Sequence, residues 1–129
     1  MFPAALVQHV LSKEIADSGV RYAWVIDGEY NPDPTAGDPP PARWQPLPGG
    51  EVTGPSNATE DEIDRARAGA PFRLDDAEGP ALRGRMWASD AAHPRDSKAA
   101  FAPLDDYGRG AYGCTAIRWR DPNGNWAQL

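Results

Sequence analysis

Lysine, histidine and cysteine are all scarce in this chain, whose 129 residues hold two Lys, two His and one Cys. A lone Cys114 cannot form an internal disulfide, so a disulfide-stapled scaffold is excluded. With only His9 and His93 as nitrogen ligands, a His-rich transition-metal motif is excluded as well. No glycine-rich phosphate loop, no Cys/His zinc spacing and no nucleophile elbow occurs. No apolar run is long enough to cross a bilayer, and no basic stretch followed by an apolar one opens the chain. These absences lead to the expectation of a cytoplasmic protein without a cofactor and without membrane contact.

What is present is arginine, proline, glycine and aromatic carbon. Eleven Arg, fourteen Pro and thirteen Gly accompany five Trp, four Tyr and three Phe. The aromatics supply core material, while the proline and glycine content demands many turns and argues against an all-helical fold. A chain of this length makes about one domain and buries roughly two thirds of the surface its unfolded form exposes. The formal charge of −6 would repel a polyanion at long range, which argues against general binding to nucleic acid or an anionic membrane. The charge is unevenly spread. Residues 1–64 carry eleven acids and three bases, a net of −8, whereas residues 65–129 carry eight acids and ten bases, a net of +2.

Along the chain, Leu6, Val7, Val10, Leu11 and Ile15 recur at helical spacing and Gly19 stands where a C-terminal cap belongs, predicting a helix over residues 3–18. Val20, Tyr22, Trp24 and Ile26 alternate with Arg21, Ala23, Val25 and Asp27, the period of a half-buried strand. Seven prolines between residues 31 and 50 exclude a helix interior or a central strand and predict a surface loop there. Thr59-Glu60-Asp61-Glu62 is a capping box that opens a short helix, which Gly69 and Pro71 stop. Residues 71–88 read as a hairpin turning at residues 75–80, with Leu82, Gly84, Met86 and Ala88 on one face of its second strand. Residues 101–113 read as irregular because of their glycines. Thr115, Ile117 and Trp119 then alternate with Ala116, Arg118 and Arg120 into an Asn123-Gly124 turn and a last short strand. The sum is a single α+β domain over residues 1–129, an antiparallel sheet of about four or five strands packed with one or two short helices.

Three sets of residues carry candidate chemistry. Leu-Asp-Asp occurs twice, and Asp75, Asp76, Asp105 and Asp106 would offer two carboxylate pairs to a hard cation if the two segments met. The competing account is that Asp75 and Asp105 accept hydrogen bonds from turn amides while Asp76 and Asp106 stay solvated. Cys114 with His93 is the one nucleophile and base combination, with Ser89 and Ser97 as alternatives, yet a lone Cys in a strand is ordinarily a small buried hydrophobe and the serines lie in a polar loop. Finally Arg83, Arg85 and Trp87 fall on one side of one strand and Arg118 and Arg120 on one side of another, with Arg73 between them if the strands are neighbours. Such a face suits phosphate, nucleic acid or an acidic protein surface; its alternative is simple pairing with carboxylates.

The runs Gly54-Pro55-Ser56-Asn57-Ala58, Phe72-Arg73-Leu74-Asp75-Asp76, Pro103-Leu104-Asp105-Asp106-Tyr107-Gly108 and Gly113-Cys114-Thr115 resemble a family of small uncharacterised proteins associated with bacteriophages, mobile elements and actinobacteria. The resemblance covers about the last sixty per cent of the chain together with the Trp24 strand. It implies no catalytic residue. It does imply a setting in which small proteins act by binding and modulating others. The resulting expectation is a non-enzymatic binding or regulatory protein. Its partner is another protein, met through the acidic first half or the arginine face, with Trp44, Trp87 or Tyr112 as aromatic anchors. Two alternatives stand beside it: a nucleic-acid-binding module using the Arg/Trp face, and a divalent-metal-dependent hydrolase using the Asp pairs.

Overall fold

Four consecutive residues of the first strand, Ala23, Trp24, Val25 and Ile26, are buried, so both of its faces are covered where simple alternation predicts one. The computed structural model describes residues 15, 18–31, 43–121 and 123–129. Among them the strands are β1 (Tyr22–Tyr30), β2 (Trp44–Gln45), β3 (Val52–Gly54), β4 (Ala70–Asp76), β5 (Gly79–Ala88), β6 (Ala116–Arg120) and β7 (Trp126–Gln128). The helices are α1 (Glu60–Arg67) and α2 (Arg109–Tyr112), with a 3-10 turn at Pro94–Asp96 and a π turn at Leu104–Gly108.

One antiparallel sheet joins all seven strands in the order β2-β1-β5-β4-β6-β7, with β3 also on the outer edge of β1. The fold is therefore α+β, and the expectation of four or five strands falls short of the seven found by at least two. The missing strands are β2 and β3, two and three residues long, too short to show an alternation. Trp44–Gln45 also lies in the stretch expected to be a loop; it pairs with Glu29 and Tyr30 at the sheet edge, where prolines on either side are tolerated. Residues 32–42 of that stretch, and the helix expected over residues 3–18, lie outside the described residues apart from Ile15 and Ser18. Ile15 is buried in the main core.

The main core lies on the face of β1 that bears Trp24 and Ile26. Phe72, Leu74, Leu82, Met86, Ile117 and Trp119 join them from the neighbouring strands, and Ala99, Ala102, Leu104 and Cys114 close over the top. Each large side chain so buried stabilises the fold by about 1.5–3 kcal/mol relative to an exposed one. A second, smaller core sits on the opposite face, where Ala66 of α1 meets Ala23 and Val25 with Ile63 and Trp87 at its rim. The Thr59 capping box starts α1 as the sequence predicts: the Glu62 amide donates to Thr59 Oγ1 at 3.1 Å and the Thr59 amide donates to Glu62 Oε1 at 2.9 Å.

The irregular segment expected over residues 101–113 is in fact helical from 102 to 112, widening into the π turn and ending at Gly113 in a left-handed conformation, φ 66°. Its glycines are a packing requirement. A Cβ on Gly108 would stand 2.6 Å from Leu74 Cδ1, so only glycine lets this helix lie so close to β4. Both expected hairpins form, β4–β5 and β6–β7, but the first turns at residues 77–78 only, because Asp75 pairs with Pro80 and Asp76 with Gly79 inside the ladder expected to have ended there. In the second, Asp121 Oδ1 accepts from the amides of Asn123 and Asn125, both at 2.9 Å. Among the described residues no helix is long and apolar enough to cross a membrane.

Candidate functional site

Alternation along β5, β4 and β6 sends Leu82, Met86, Phe72, Leu74, Ile117 and Trp119 into the main core, and so turns Arg83, Arg85, Arg73, Arg118 and Arg120 to the other face. The register sharpens this. Arg73 is directly opposite Arg83 on one side and Arg118 on the other, so three guanidinium groups cross the sheet in one row. Like charges directly opposite are destabilising unless something offsets them. Asp75, only 5% exposed, does so for two of the three. Its Oδ1 accepts from Arg73 Nε at 2.8 Å, and its Oδ2 accepts from Arg73 Nη2 at 3.0 Å and Arg118 Nε at 2.8 Å. Arg118 Nη2 donates further to Gln128 at 3.3 Å, and the Arg73 guanidinium lies 5.5 Å from the centre of the Trp126 ring.

Arg83, Arg85 and Arg120 have no such arrangement. Among the described residues none of them forms an ion pair with a carboxylate. Arg83 passes over Gly28, where a Cβ would stand 2.8 Å from its Nε, and rests 5.0 Å from the centre of the Trp44 ring. Arg85 donates to the carbonyl oxygen of Gly69 at 3.2 Å. All three line one groove of about 260 Å³ whose other walls include Pro71, Trp126 and Asp27. Helix α1 flanks this face, and Arg65 on it lies 5.2 Å from the centre of the Trp87 ring.

Trp87 is thus half-buried between α1 and the sheet and does not stand out as an open platform. Tyr112 is displaced from the face altogether, lying on α2 and donating to Glu29 at 3.2 Å. Of the three expected aromatic anchors, Trp44 adjoins Arg83 of the sheet face and Trp87 adjoins Arg65 of α1. Trp126, which the sequence placed in the last strand without assigning it a role, adjoins the arginines of the sheet face too. Its cross-strand pairing with Arg120 was the signal.

The four aspartates of the Leu-Asp-Asp repeats are not brought together. Asp75 is on the arginine face, while Asp106 is on the other side of the sheet, where its Oδ2 accepts from Tyr22 Oη at 2.8 Å and Trp24 Nε1 at 3.0 Å. Asp76 accepts from the Glu78 amide at 2.8 Å within the hairpin turn, and Asp105 pairs with Arg109 at 3.4 Å. Among the described residues no three His, Cys, Asp or Glu groups are placed to hold a metal ion. The turn account fails for Asp75 and Asp105, the two residues expected to accept from turn amides, and the aspartate that does so is Asp76, expected to stay solvated. Asp75 is an ion-pair centre, and the second repeat is helical, so Asp105 pairs one turn along with Arg109 while Asp106 makes the tertiary contact with Tyr22 and Trp24.

Cys114 is fully buried at the end of the left-handed turn, just before β6 begins, and burial, then Asp76 and Asp75, push its thiol up to about 11. His93 packs edge-on against Trp119 with ring centres 5.7 Å apart, and its Nδ1 accepts from the Arg95 amide at 3.1 Å. Burial, then the neighbouring Arg95 charge, hold it below the ordinary histidine range. No hydrogen bond joins the two among the described residues. The hydroxyls of Ser89 and Ser97 accept from the amides of Arg21 and Ala99, both at 2.9 Å, so both are structural. Searches of family models, curated proteins and solved structures find no match for the chain.

Proposed function

We propose that this is a non-enzymatic binding protein that holds an acidic segment of a partner protein on its arginine face. The observation that carries this reading is the contrast within one patch: Asp75 neutralises Arg73 and Arg118, while among the described residues Arg83, Arg85 and Arg120 form no ion pair and line a shared groove whose lining also holds Asp27. Guanidinium groups not held in an ion pair favour planar, bidentate recognition of carboxylate or phosphate. Two features favour an acidic peptide over nucleic acid. The net charge of −6 repels a long polyanion. The rings of Trp44 and Trp126 already lie under arginines, which leaves them poorly placed to stack bases. The resemblance to phage and mobile-element proteins agrees with a binding role.

The test is a fluorescence titration with a labelled Glu/Asp-rich peptide and a single-stranded oligonucleotide of equal charge. The peptide is expected to bind, and to bind about tenfold or more weakly when Arg83, Arg85 and Arg120 are all changed to Ala, since each charge-assisted hydrogen bond is worth ~1.5–3 kcal/mol. Tighter binding of the oligonucleotide, with a steep salt dependence, would replace this reading by the nucleic-acid one.

A further inference from the structure

The Tyr22–Asp106 contact opens onto a cavity of about 610 Å³ at the Tyr22 end of β1. Three stretches distant in sequence meet there: residues 19–22 entering β1, Pro55–Asn57 before α1, and Asp106 of the π turn. The Asp106 carboxylate is fixed through one oxygen only. Tyr22 and Trp24 both donate to Oδ2, and Trp24 is itself 3% exposed and packed against Tyr107 with ring centres 5.8 Å apart. Oδ1 accepts no hydrogen bond from the described residues. Asp106 is solvent-exposed, and its carboxylate is oriented by two donors on Oδ2 while Oδ1 keeps its acceptor capacity open among the described residues, an orientation set before any ligand arrives.

The opposite wall is equally fixed but carries no net charge. Arg21 donates to Glu62 through Nε at 2.8 Å and Nη2 at 2.7 Å, and to the carbonyl oxygen of Asn57 at 2.8 Å. Next to Asp106, Asp105 is offset by Arg109. Among the described residues the cavity lining thus carries one carboxylate without a basic partner, with Val20, Ile15 and Pro55 as its apolar part. A single carboxylate is too few ligands for a hard cation, and an anion would be repelled. What remains complementary is an organic cation with N–H donors and a hydrocarbon body.

We propose that this cavity binds a small organic ammonium, whose N–H groups donate to Asp106 Oδ1 while its hydrocarbon lies against Val20 and Pro55. The site is separate from the arginine face and does not depend on it. Tyr22 supports the arrangement as a lasting donor, because burial and then the Asp106 charge hold its phenol well above the ordinary tyrosine range.

A nitrogen-15 NMR titration of the whole chain tests this with three probes of one shape: cyclohexylammonium, cyclohexanol and cyclohexanecarboxylate. Cyclohexylammonium is expected to give saturable shifts at the Trp24 indole N–H and the Ser56 and Asn57 amides. Cyclohexanol should bind about tenfold or more weakly and the carboxylate not at all. Asp106→Asn should lower ammonium affinity to the level of the alcohol, whereas Glu78→Gln, in the distant β4–β5 turn, should leave it unchanged. Equal binding of ammonium and alcohol by the natural chain would overturn the proposal, as would the absence of saturable shifts with the ammonium. That comparison needs no variant, so it decides the matter even if Asp106→Asn fails to fold.

Discussion

Arg118 reaches from β6 to donate its Nε–H to Asp75 on β4 at 2.8 Å, and this bond converts a row of repelling arginines into part of the sheet. Because Asp75 also takes both bonds from Arg73, the one carboxylate serves two guanidiniums in a half-buried setting. Asp75→Asn leaves both cations uncompensated and is expected to cost about 2–3 kcal/mol, read as a lower midpoint in urea unfolding. Arg73→Ala should cost less, since Arg118 still satisfies Asp75. A loss from Asp75→Asn within experimental error would show that the pair adds nothing to stability.

Glu62 gives the fold a specific acid sensitivity. Its hydrogen bonds with Arg21, together with those from Thr59, hold its carboxyl below the ordinary value of 4.5, to about 2, against the opposing effect of burial. With the folded value lower than the unfolded one, the unfolded chain binds more protons in this range, so stability rises with pH. The contribution is complete above about pH 4.5 and is lost as pH falls toward 2. The stability difference between the natural chain and Glu62→Gln should therefore be constant near neutrality and shrink across that window. A difference unchanged from pH 6 to pH 3 would contradict it.

Two glycines are expected to answer in opposite ways to alanine. At Gly84, in the middle of β5, a Cβ would overlap the Val25 carbonyl oxygen and stand 2.8 Å from Phe72 Cζ. Gly84→Ala should destabilise by about 3 kcal/mol or prevent folding, because both neighbours are fixed by the sheet. At Gly110, on α2, a Cβ meets nothing within 4 Å. Gly110→Ala should stabilise by roughly 0.4–1 kcal/mol through the unfolded chain's lost freedom. Thermal unfolding of the two variants separates them.

Cys114 should be inert in the folded protein. Fully buried, its thiol is raised to about 11 by burial and then by Asp76 and Asp75. Iodoacetamide at pH 8 is expected to label the native chain on the order of 100-fold more slowly than the urea-unfolded chain, with the rate following the population of open forms. Labelling of the native chain at the unfolded rate would place the thiol on an accessible surface.

What could be read from the residues alone was whatever is specified locally. The Thr59 capping box needs only four consecutive positions, the Asn123-Gly124 turn needs two, and the alternation in β5 and β6 assigns its residues to faces without knowledge of partners. The arginine face was legible for the same reason, since Arg83, Arg85, Arg118 and Arg120 follow from a period of two. β2 and β3 were not legible, because five residues split between two strands carry no periodicity and exist only as partners of β1. Nor was the helix over 102–112, whose glycines argue against a helix in isolation and are required only because β4 lies against it.

The candidate sites divide along the same line. Sequence alone determined that arginines would share a sheet face and that the aspartates would come in pairs. Only the tertiary structure decided which arginines are neutralised, since that depends on β4 and β6 being adjacent with Asp75 in reach of both. It also separated the two aspartate pairs, putting Asp75 and Asp106 on opposite sides of the sheet and joining Asp106 to Tyr22 across 84 positions of chain. A spacing in sequence sets which face a side chain takes within its own element. Which other side chains it meets there is set by how the elements pair and pack.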